Sequence, residues 1–187
     1  MPTIPQMRAS HMQSNVACLK VLAEAQTIRR SFPSLIDPVE AALRISWLPL
    51  ELNTALIEEV ETTCGHDEAR KWVHASIRRS MHGTLLKPVV DGLTRLGLGP
   101  QHGLRRCSYG WDLLYKNAGR IECTYSEVGE ATLVLSGAPK IALTPSYLRA
   151  LAAAFEGIVM ELGGVEVKAD FTEGRSIEFS MRWTSQV

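Results

Sequence analysis

Residues 164–183 read GVEVKADFTEGRSIEFSMRW, and residues 120–135 read RIECTYSEVGEATLVL. In both stretches apolar and polar residues alternate, and a glycine lies near the middle, at Gly174 and Gly129. Alternation with a period of two residues is typical of a β-strand with one buried and one solvated face. Each stretch therefore predicts a β-hairpin.

The glycine positions also predict the hairpin loops. A three-residue loop with glycine in its third position keeps the apolar residues of both strands on one face, whereas a two-residue turn would not. Loops at residues 127–129 and 172–174 meet this condition. The predicted cross-strand pairs are Tyr125 with Ala131, Cys123 with Leu133, Ala169 with Ile177, Val167 with Phe179, and Val165 with Met181.

Between the hairpins the sequence predicts one long helix. Thr144 followed by Pro145 is typical of a helix N-terminus, because threonine caps the helix and proline suits its first turn. Apolar residues then recur at helical spacing, at Leu148, Leu151, Ala152, Phe155, Ile158, Val159 and Leu162. This stripe predicts that the helix packs on the sheet. Gly157 should lie at a close backbone approach or be a tolerated helical glycine.

The chain before Gly119 predicts helices. Capping residues followed by apolar residues at helical spacing indicate helix starts at Ser14, Asp37 and Asp67. Residues before Met12 have the composition of a loop, so residues 1–13 are expected to be a disordered or tag-like N-terminus.

The predicted fold class is therefore α+β, with an N-terminal helical layer followed by a ββαββ unit that carries a four-stranded antiparallel sheet. We expect a single domain over residues 14–187. Its helical part spans residues 14–119 and its ββαββ part spans residues 120–187.

Composition excludes some classes of protein and disfavours others. Hydrophobic residues make up 45% of the 187 residues, and 20 basic residues balance 20 acidic ones. Because the net charge is zero, we expect no nucleic-acid partner. No apolar run is long enough to span a membrane, so we expect no membrane insertion. We expect a cytoplasmic protein. Its widely spaced cysteines, Cys18, Cys64, Cys107 and Cys123, are expected to be buried, reduced thiols.

No arrangement of residues predicts catalysis, a metal or a cofactor. His66, His74 and His82 recur every eight residues. Eight residues rotate an α-helix by about 80° beyond two turns, so His74 and His82 cannot chelate one ion from one face. His102 lies between glycines in a predicted loop and suggests, as an alternative, a haem-based gas sensor.

A basic stripe is predicted on the helix that starts near Asp67. It consists of Lys71, His74, Arg78 and His82, flanked by Arg70 and Arg79. A DNA-associated regulator that uses this stripe is a second alternative. A solvated helix face is the preferred interpretation, because no aromatic residues are interleaved with the charges.

The order of the predicted elements resembles the haem–nitric oxide-binding (H-NOX) fold and its TRAPP-like and vinyl-reductase-like relatives. In this order several helices are followed by two strands, a helix and two more strands. In detail the chain most resembles an uncharacterised paralogous family of myxobacterial proteins, from Trp47 to the end. The residues that carry the resemblance are Trp47, Pro49, Gly65, Pro88, Gly97, Pro100, Trp111, Tyr115, Gly119, Gly137, Pro139, Gly157, Gly163, Gly164, Phe179 and Trp183.

This resemblance implies a bacterial regulatory, sensory or scaffolding module, often dimeric, rather than an enzyme. Haem-binding members carry a Tyr-x-Ser-x-Arg motif that holds the propionates, whereas this chain has Tyr125-Ser126-Glu127 and no arginine. We therefore expect no haem. We expect a homodimer that binds a small apolar ligand or a protein partner. Candidate residues for the ligand pocket, chosen by apolar placement, are Trp72, Ile77, Trp111, Tyr115, Leu133 and Phe155.

Overall fold

The structure, a computed structural model, describes residues 3–185. Its first part consists of helices and three short strands. In chain order these elements are β1 Gln6–Arg8, α1 Ala9–Cys18, α2 Ala25–Ser31, α3 Pro33–Ala41, β2 Trp47–Pro49, α4 Leu50–Cys64, α5 His66–Met81, α6 Lys87–Arg95, α7 Pro100–Leu104, α8 Cys107–Leu114 and β3 Tyr115–Lys116. Single 3₁₀ turns follow α1, at Leu19–Val21, and precede the last helix, at Lys140–Leu143.

The predicted ββαββ unit follows. It comprises β4 Arg120–Glu127, β5 Glu130–Ser136, α9 Pro145–Glu161, β6 Gly164–Glu173 and β7 Ile177–Ser185. The four strands form one sheet in the order β4-β5-β7-β6, and all neighbours are antiparallel. The α+β class and the arrangement of a helical region before this unit are confirmed.

The N-terminal segment corrects one expectation. Residues 1–13 were expected to be disordered or tag-like, but β1 is the central strand of a small sheet with order β2-β1-β3. Met7 and Met12 are each 1% exposed. The expectation is wrong because these apolar side chains are part of the main core. A strand of three residues is too short to be recognised from the sequence. Residues 1 and 2 lie outside the described part of the chain.

Two helix starts also differ from the prediction. The helix expected to start at Ser14 starts at Ala9, so Ser14 lies inside α1. The helix expected to start at Asp37 starts at Pro33, so Pro38 lies inside α3. Pro33 satisfies the same rule for a proline in the first turn, one turn earlier in the chain. His102 lies in the short helix α7 rather than in a loop.

The first hairpin confirms one predicted pair and corrects another. Cys123 pairs with Leu133, but a bulge follows, so that Tyr125 pairs with Thr132 and not with Ala131. The three-residue loop predicted at residues 127–129 is wrong, because Glu127 pairs with Glu130 and the turn has only two residues, 128–129. The bulge inserts one residue into β4. This extra residue returns the apolar residues before the bulge to the buried face, which a two-residue turn alone would not allow. Tyr125 is therefore 42% exposed.

The second hairpin has a different register from the predicted one. Ala169 pairs with Met181, Phe171 pairs with Phe179, and Glu173 pairs with Ile177. The loop occupies residues 174–176 rather than 172–174, so the strands extend farther toward the turn. A shift of this kind keeps the apolar residues on the predicted face. The three predicted pairs, Ala169 with Ile177, Val167 with Phe179 and Val165 with Met181, are wrong.

Helix α9 lies between the sheet and α5. The Thr144 hydroxyl accepts a hydrogen bond from the Tyr147 N–H at 3.3 Å, as predicted for the cap. Phe155 meets the Phe179 ring edge-on, with 5.1 Å between ring centroids. On the other side, a Cβ added to Gly157 would lie 3.1 Å from Ile77. The close approach predicted at Gly157 is thus an approach to α5. The sheet, α5 and α9 share one core.

Candidate functional site

An apolar cavity of about 130 Å³ lies between α5, α6, α8 and α9. Helix α6 forms one wall, because Val89, Val90 and Leu93 recur on one side of the helix. The remaining apolar walls are formed by Ile77, Met81, Leu86, Leu104, Trp111, Leu114, Ile121, Leu151, Ala154, Phe155, Ile158 and Leu162. An apolar cavity of about 150 Å³ is known to stay dry and to bind benzene. The cavity is therefore large enough for one small apolar molecule.

Four of the six predicted pocket residues, Ile77, Trp111, Tyr115 and Phe155, border this cavity. Trp72 does not border it but lines a smaller neighbouring cavity, and its indole N–H donates to the Asn15 carbonyl oxygen at 2.9 Å. Leu133 is fully buried among other core residues and does not border the cavity. Apolar character alone cannot separate residues that line a cavity from residues that fill the core.

The wall nearest the sheet contains a stacked aromatic pair. The rings of Trp111 and Tyr115 lie 4.0 Å apart, with 20° between their planes. The Trp111 indole N–H donates to the Gly119 carbonyl oxygen at 3.1 Å, which fixes the pair against the start of β4. Burial raises the pKa of Tyr115 to about 12, so its hydroxyl stays protonated.

A second, smaller cavity of about 30 Å³ adjoins the first. The two cavities share five wall residues, His11, Ile77, Tyr115, Leu151 and Ala154. Polar side chains that border the smaller cavity are His11, Asn15, Asn53, Ser76, Tyr115 and Tyr147. The candidate site thus has an apolar part and a polar part.

Most polar groups around the smaller cavity have partners. The Asn15 amide donates to the Asn53 side-chain oxygen at 2.7 Å. The Nδ1 atom of His11 lies 2.8 Å from the Ser80 hydroxyl oxygen. Burial lowers the pKa of His11 to about 4, so this histidine is neutral at pH 7. The polar residues around the smaller cavity were not predicted from the sequence, because an isolated polar residue within an apolar stripe does not indicate that it is buried.

Cys107 is the thiol at the main cavity. Burial raises its pKa to about 12, which disfavours the reactive thiolate. All four cysteines are free, but only Cys18 is buried as expected, and the other three are partly exposed. Within residues 3–185 there is no group of three or more histidine, cysteine, aspartate or glutamate side chains that could hold a metal ion.

The basic stripe of α5 faces carboxylates of α9 rather than solvent alone. Arg70 donates two hydrogen bonds to Glu156, at 2.7 and 2.9 Å, and His74 lies 3.0 Å from the same carboxylate. His82 lies 2.9 Å from Glu161. Each carboxylate offsets positive charge on the stripe. The interpretation as a solvated face holds for Lys71, Arg78 and His82, whose side chains are exposed. It is wrong for His74, whose side chain is 22% exposed. The stripe gains no support as a nucleic-acid site.

Glu156 is the centre of this ionic cluster and is 3% exposed. Burial acts to raise its pKa, but hydrogen bonds from His74, Arg70 and the Ala169 N–H outweigh that effect and lower the pKa to about 2. The Ala169 N–H donates at 2.9 Å, so the carboxylate also contacts the sheet. The cluster therefore connects α5, α9 and β6.

No protein-family model and no curated protein sequence matches the chain. Solved structures do match. An Fe(II) unliganded H-NOX protein variant from K. algicida is 6% identical, with a TM-score of 0.65 over 97% of this chain and 98% of the other. An oxygen-binding H-NOX domain related to soluble guanylate cyclases is 11% identical, with a TM-score of 0.63 over 97% of both chains.

A third structure, described as modulating heme redox potential through protein-induced porphyrin distortion, is 12% identical. Its TM-score is 0.58 over 95% of this chain and 99% of the other. The chain thus has an H-NOX-like fold over nearly its whole length, as the resemblance implied. Similarity at these identities concerns the fold alone.

The residues around the cavity do not fit haem. Pockets for drug-sized ligands start at roughly 300 Å³, whereas this cavity measures about 130 Å³. The Nδ1 atom of His102 is buried and has no hydrogen-bond partner among the described residues, but His102 does not border the cavity. The exposed Tyr125 hydroxyl donates to Glu130 at 2.8 Å and is not part of a propionate site.

Among the described helices, none is both long and apolar enough to cross a membrane.

Proposed function

We propose that this chain is a non-enzymatic regulatory module that binds a small apolar ligand in the main cavity without haem. The cavity between α5, α6, α8 and α9, with its apolar walls, is the observation that carries the proposal. An apolar molecule that leaves water for such a cavity gains free energy in proportion to the apolar surface it buries. The neutral state of His11 at pH 7 avoids a buried charge beside the ligand.

Helix α6 is the element through which binding would be sensed. It supplies Val89, Val90 and Leu93 to the cavity wall, and it has nine residues. So short a helix has little stability of its own and depends on its packing. A ligand that contacts these three side chains would stabilise α6 in one position. A protein partner that binds the α6 surface would then respond to the ligand.

Thermal unfolding with p-xylene as the probe tests this function. A ligand that binds the folded state alone raises the unfolding temperature. Gly110 borders the cavity, and a Cβ at this position would meet no atom within 4 Å. Gly110→Leu should therefore occupy part of the cavity and abolish the shift caused by p-xylene.

Gly92→Leu is the matched control. Gly92 is also a helical glycine with no atom within 4 Å of an added Cβ, but it does not border the cavity. This variant should retain the p-xylene shift of the unmodified protein. An unmodified protein whose unfolding temperature does not respond to p-xylene would contradict the proposed function.

A haem-based gas sensor is the alternative. The buried, unpaired Nδ1 atom of His102 supports it, together with the fold that the chain shares with haem-binding H-NOX structures. This function would require the cavity to enlarge. Titration with haemin distinguishes the two. A stoichiometric Soret band that His102→Ala removes would favour the sensor, and the absence of such a band would favour the haem-free module.

We further propose that the module is a homodimer formed through its helical layer. Leu43 and Ile45, in the segment before β2, are 72% and 78% exposed. Exposed apolar side chains of this kind are common in interfaces between subunits. Light scattering should give the mass of a dimer, and Ile45→Glu should give the mass of a monomer. A monomeric unmodified protein would contradict this part of the proposal.

A further inference from the structure

The hydroxyl of Tyr147 has no hydrogen-bond partner among the described residues, although the residue is only 1% exposed. A buried hydroxyl that has lost its bonds to water without replacing them is unfavourable, and nearly all buried polar groups find a partner. Burial, and after it the neighbouring Tyr115 hydroxyl, raise the pKa of Tyr147, but no hydrogen bond within 3.5 Å joins the two hydroxyl groups. The position of this hydroxyl calls for a partner from outside the chain.

Tyr147 borders the smaller cavity, whose volume of about 30 Å³ suits one polar group. A cavity of roughly 10–15 Å³ is enough to hold one water molecule, so a water or a hydroxyl group fits there. His11 and Tyr115 border both cavities. For a polar group beside Tyr147 to belong to a molecule whose apolar body lies in the main cavity, that molecule must pass between these shared side chains.

The lack of charged side chains around the smaller cavity limits which polar groups can bind there. No lysine, arginine, aspartate or glutamate side chain borders the smaller cavity within the described residues. A carboxylate or an ammonium group would be buried there without a counter-ion, which is strongly unfavourable. A neutral hydroxyl group can both donate to and accept from the tyrosine hydroxyl.

We propose that the ligand is a small aromatic alcohol, whose ring lies in the apolar cavity and whose hydroxyl group hydrogen-bonds with Tyr147 in the smaller cavity. This inference rests on the proposed function, since it specifies the ligand of the same site. A site that pairs with a ligand hydroxyl discriminates strongly against an analogue that lacks it, because the buried partner is then left unpaired.

Calorimetric titration with p-cresol and p-xylene tests the inference, because the two molecules differ by one hydroxyl in place of a methyl group. The unmodified protein should bind p-cresol at least tenfold more tightly. In Tyr147→Phe the preference for p-cresol should disappear while p-xylene still binds. Tyr125→Phe is the matched control: its hydroxyl lies on the exposed sheet face and bonds with Glu130, so the preference should remain.

The outcomes separate this inference from the function on which it rests. Binding of p-xylene with no preference for p-cresol would overturn the inference and leave the proposed function standing, with water as the partner of Tyr147. Failure of both molecules to bind would overturn both. If Tyr147→Phe does not fold, the preference of the unmodified protein decides: a tenfold preference for p-cresol supports the inference, and equal affinities overturn it.

Discussion

Glu156 on α9 accepts two parallel hydrogen bonds from the guanidinium group of Arg70 on α5, at 2.7 and 2.9 Å. The Glu156 side chain is 5% exposed, whereas that of Arg70 is 42% exposed. The carboxylate is thus the buried member of the pair. It also contacts His74 and the backbone of β6, so its charge is compensated from three elements.

Glu156→Gln should lower the free energy of unfolding by about 2–3 kcal/mol, because hydrogen bonds to a buried charge are the strong ones. Urea denaturation measures this change. Glu68→Gln is the control, since Glu68 lies on α5 and pairs with Lys71 in an exposed ion pair. An effect of Glu156→Gln no larger than that of the control would contradict the role of the cluster.

Acid should destabilise the fold in two pH ranges. His11 has a folded-state pKa of about 4 against an ordinary value of 6.5, so the unfolded chain takes up its proton first as the pH falls. Between pH 6.5 and pH 4 this difference should remove about 3 kcal/mol of stability. Glu156 should reduce stability further below pH 4.5, because its folded-state pKa is about 2.

The free energy of unfolding, measured by urea denaturation between pH 7 and pH 4, checks the first range. His11→Gln should flatten this part of the profile, because glutamine does not titrate. A profile that falls equally steeply in the unmodified protein and in His11→Gln would contradict the assignment to His11.

Phe155→Ala should lower the free energy of unfolding by about 3–5 kcal/mol, since it removes a buried ring and enlarges the cavity. Phe155 is 4% exposed and contacts Phe179. Met160→Ala, at a position 48% exposed on the same helix, is the control and should change stability little. Chemical denaturation measures both. A loss below about 1 kcal/mol at Phe155 would contradict its place in the core.

Gly119→Ala should destabilise the protein more than Gly137→Ala, by about 2 kcal/mol. Both glycines have a positive φ, of 86° and 62°. A Cβ at Gly119 would lie 2.6 Å from the Ser136 carbonyl oxygen, whereas at Gly137 it would meet no atom within 4 Å. The difference between the two variants therefore isolates this close approach. Equal melting temperatures for the two variants would argue against it.

The sequence pattern predicted the sheet because the sheet buries one face, which leaves a period of two residues. It predicted α9 because the apolar residues of that helix recur at helical spacing. It did not predict the bulge after Cys123, since one inserted residue changes pairing without changing composition. It also missed β1, because three residues are too few to show a period. The register of the second hairpin depends on which residues form the loop. Loops at residues 172–174 and 174–176 both keep the apolar residues of the two strands on one face, so the sequence pattern could not distinguish them.

The candidate site was predicted only in part. Ile77, Trp111, Tyr115 and Phe155 border the cavity, but Leu133 has the same apolar character and does not. A cavity depends on where packing is incomplete, and no single residue type marks such a place. Tyr147 and Asn53 were missed because a single polar residue leaves no period in the sequence, and the partner of Asn53, Asn15, is distant in the sequence.

Diffraction from crystals of the unmodified protein under xenon pressure is the measurement that tests the apolar cavity most directly. Xenon binds dry apolar cavities without forming hydrogen bonds. The account predicts a xenon site between α6 and α9, bordered by Val90 and Phe155, and its loss in Gly110→Leu but not in Gly92→Leu. A main cavity that holds ordered water in place of xenon, or that holds haem, would contradict the account.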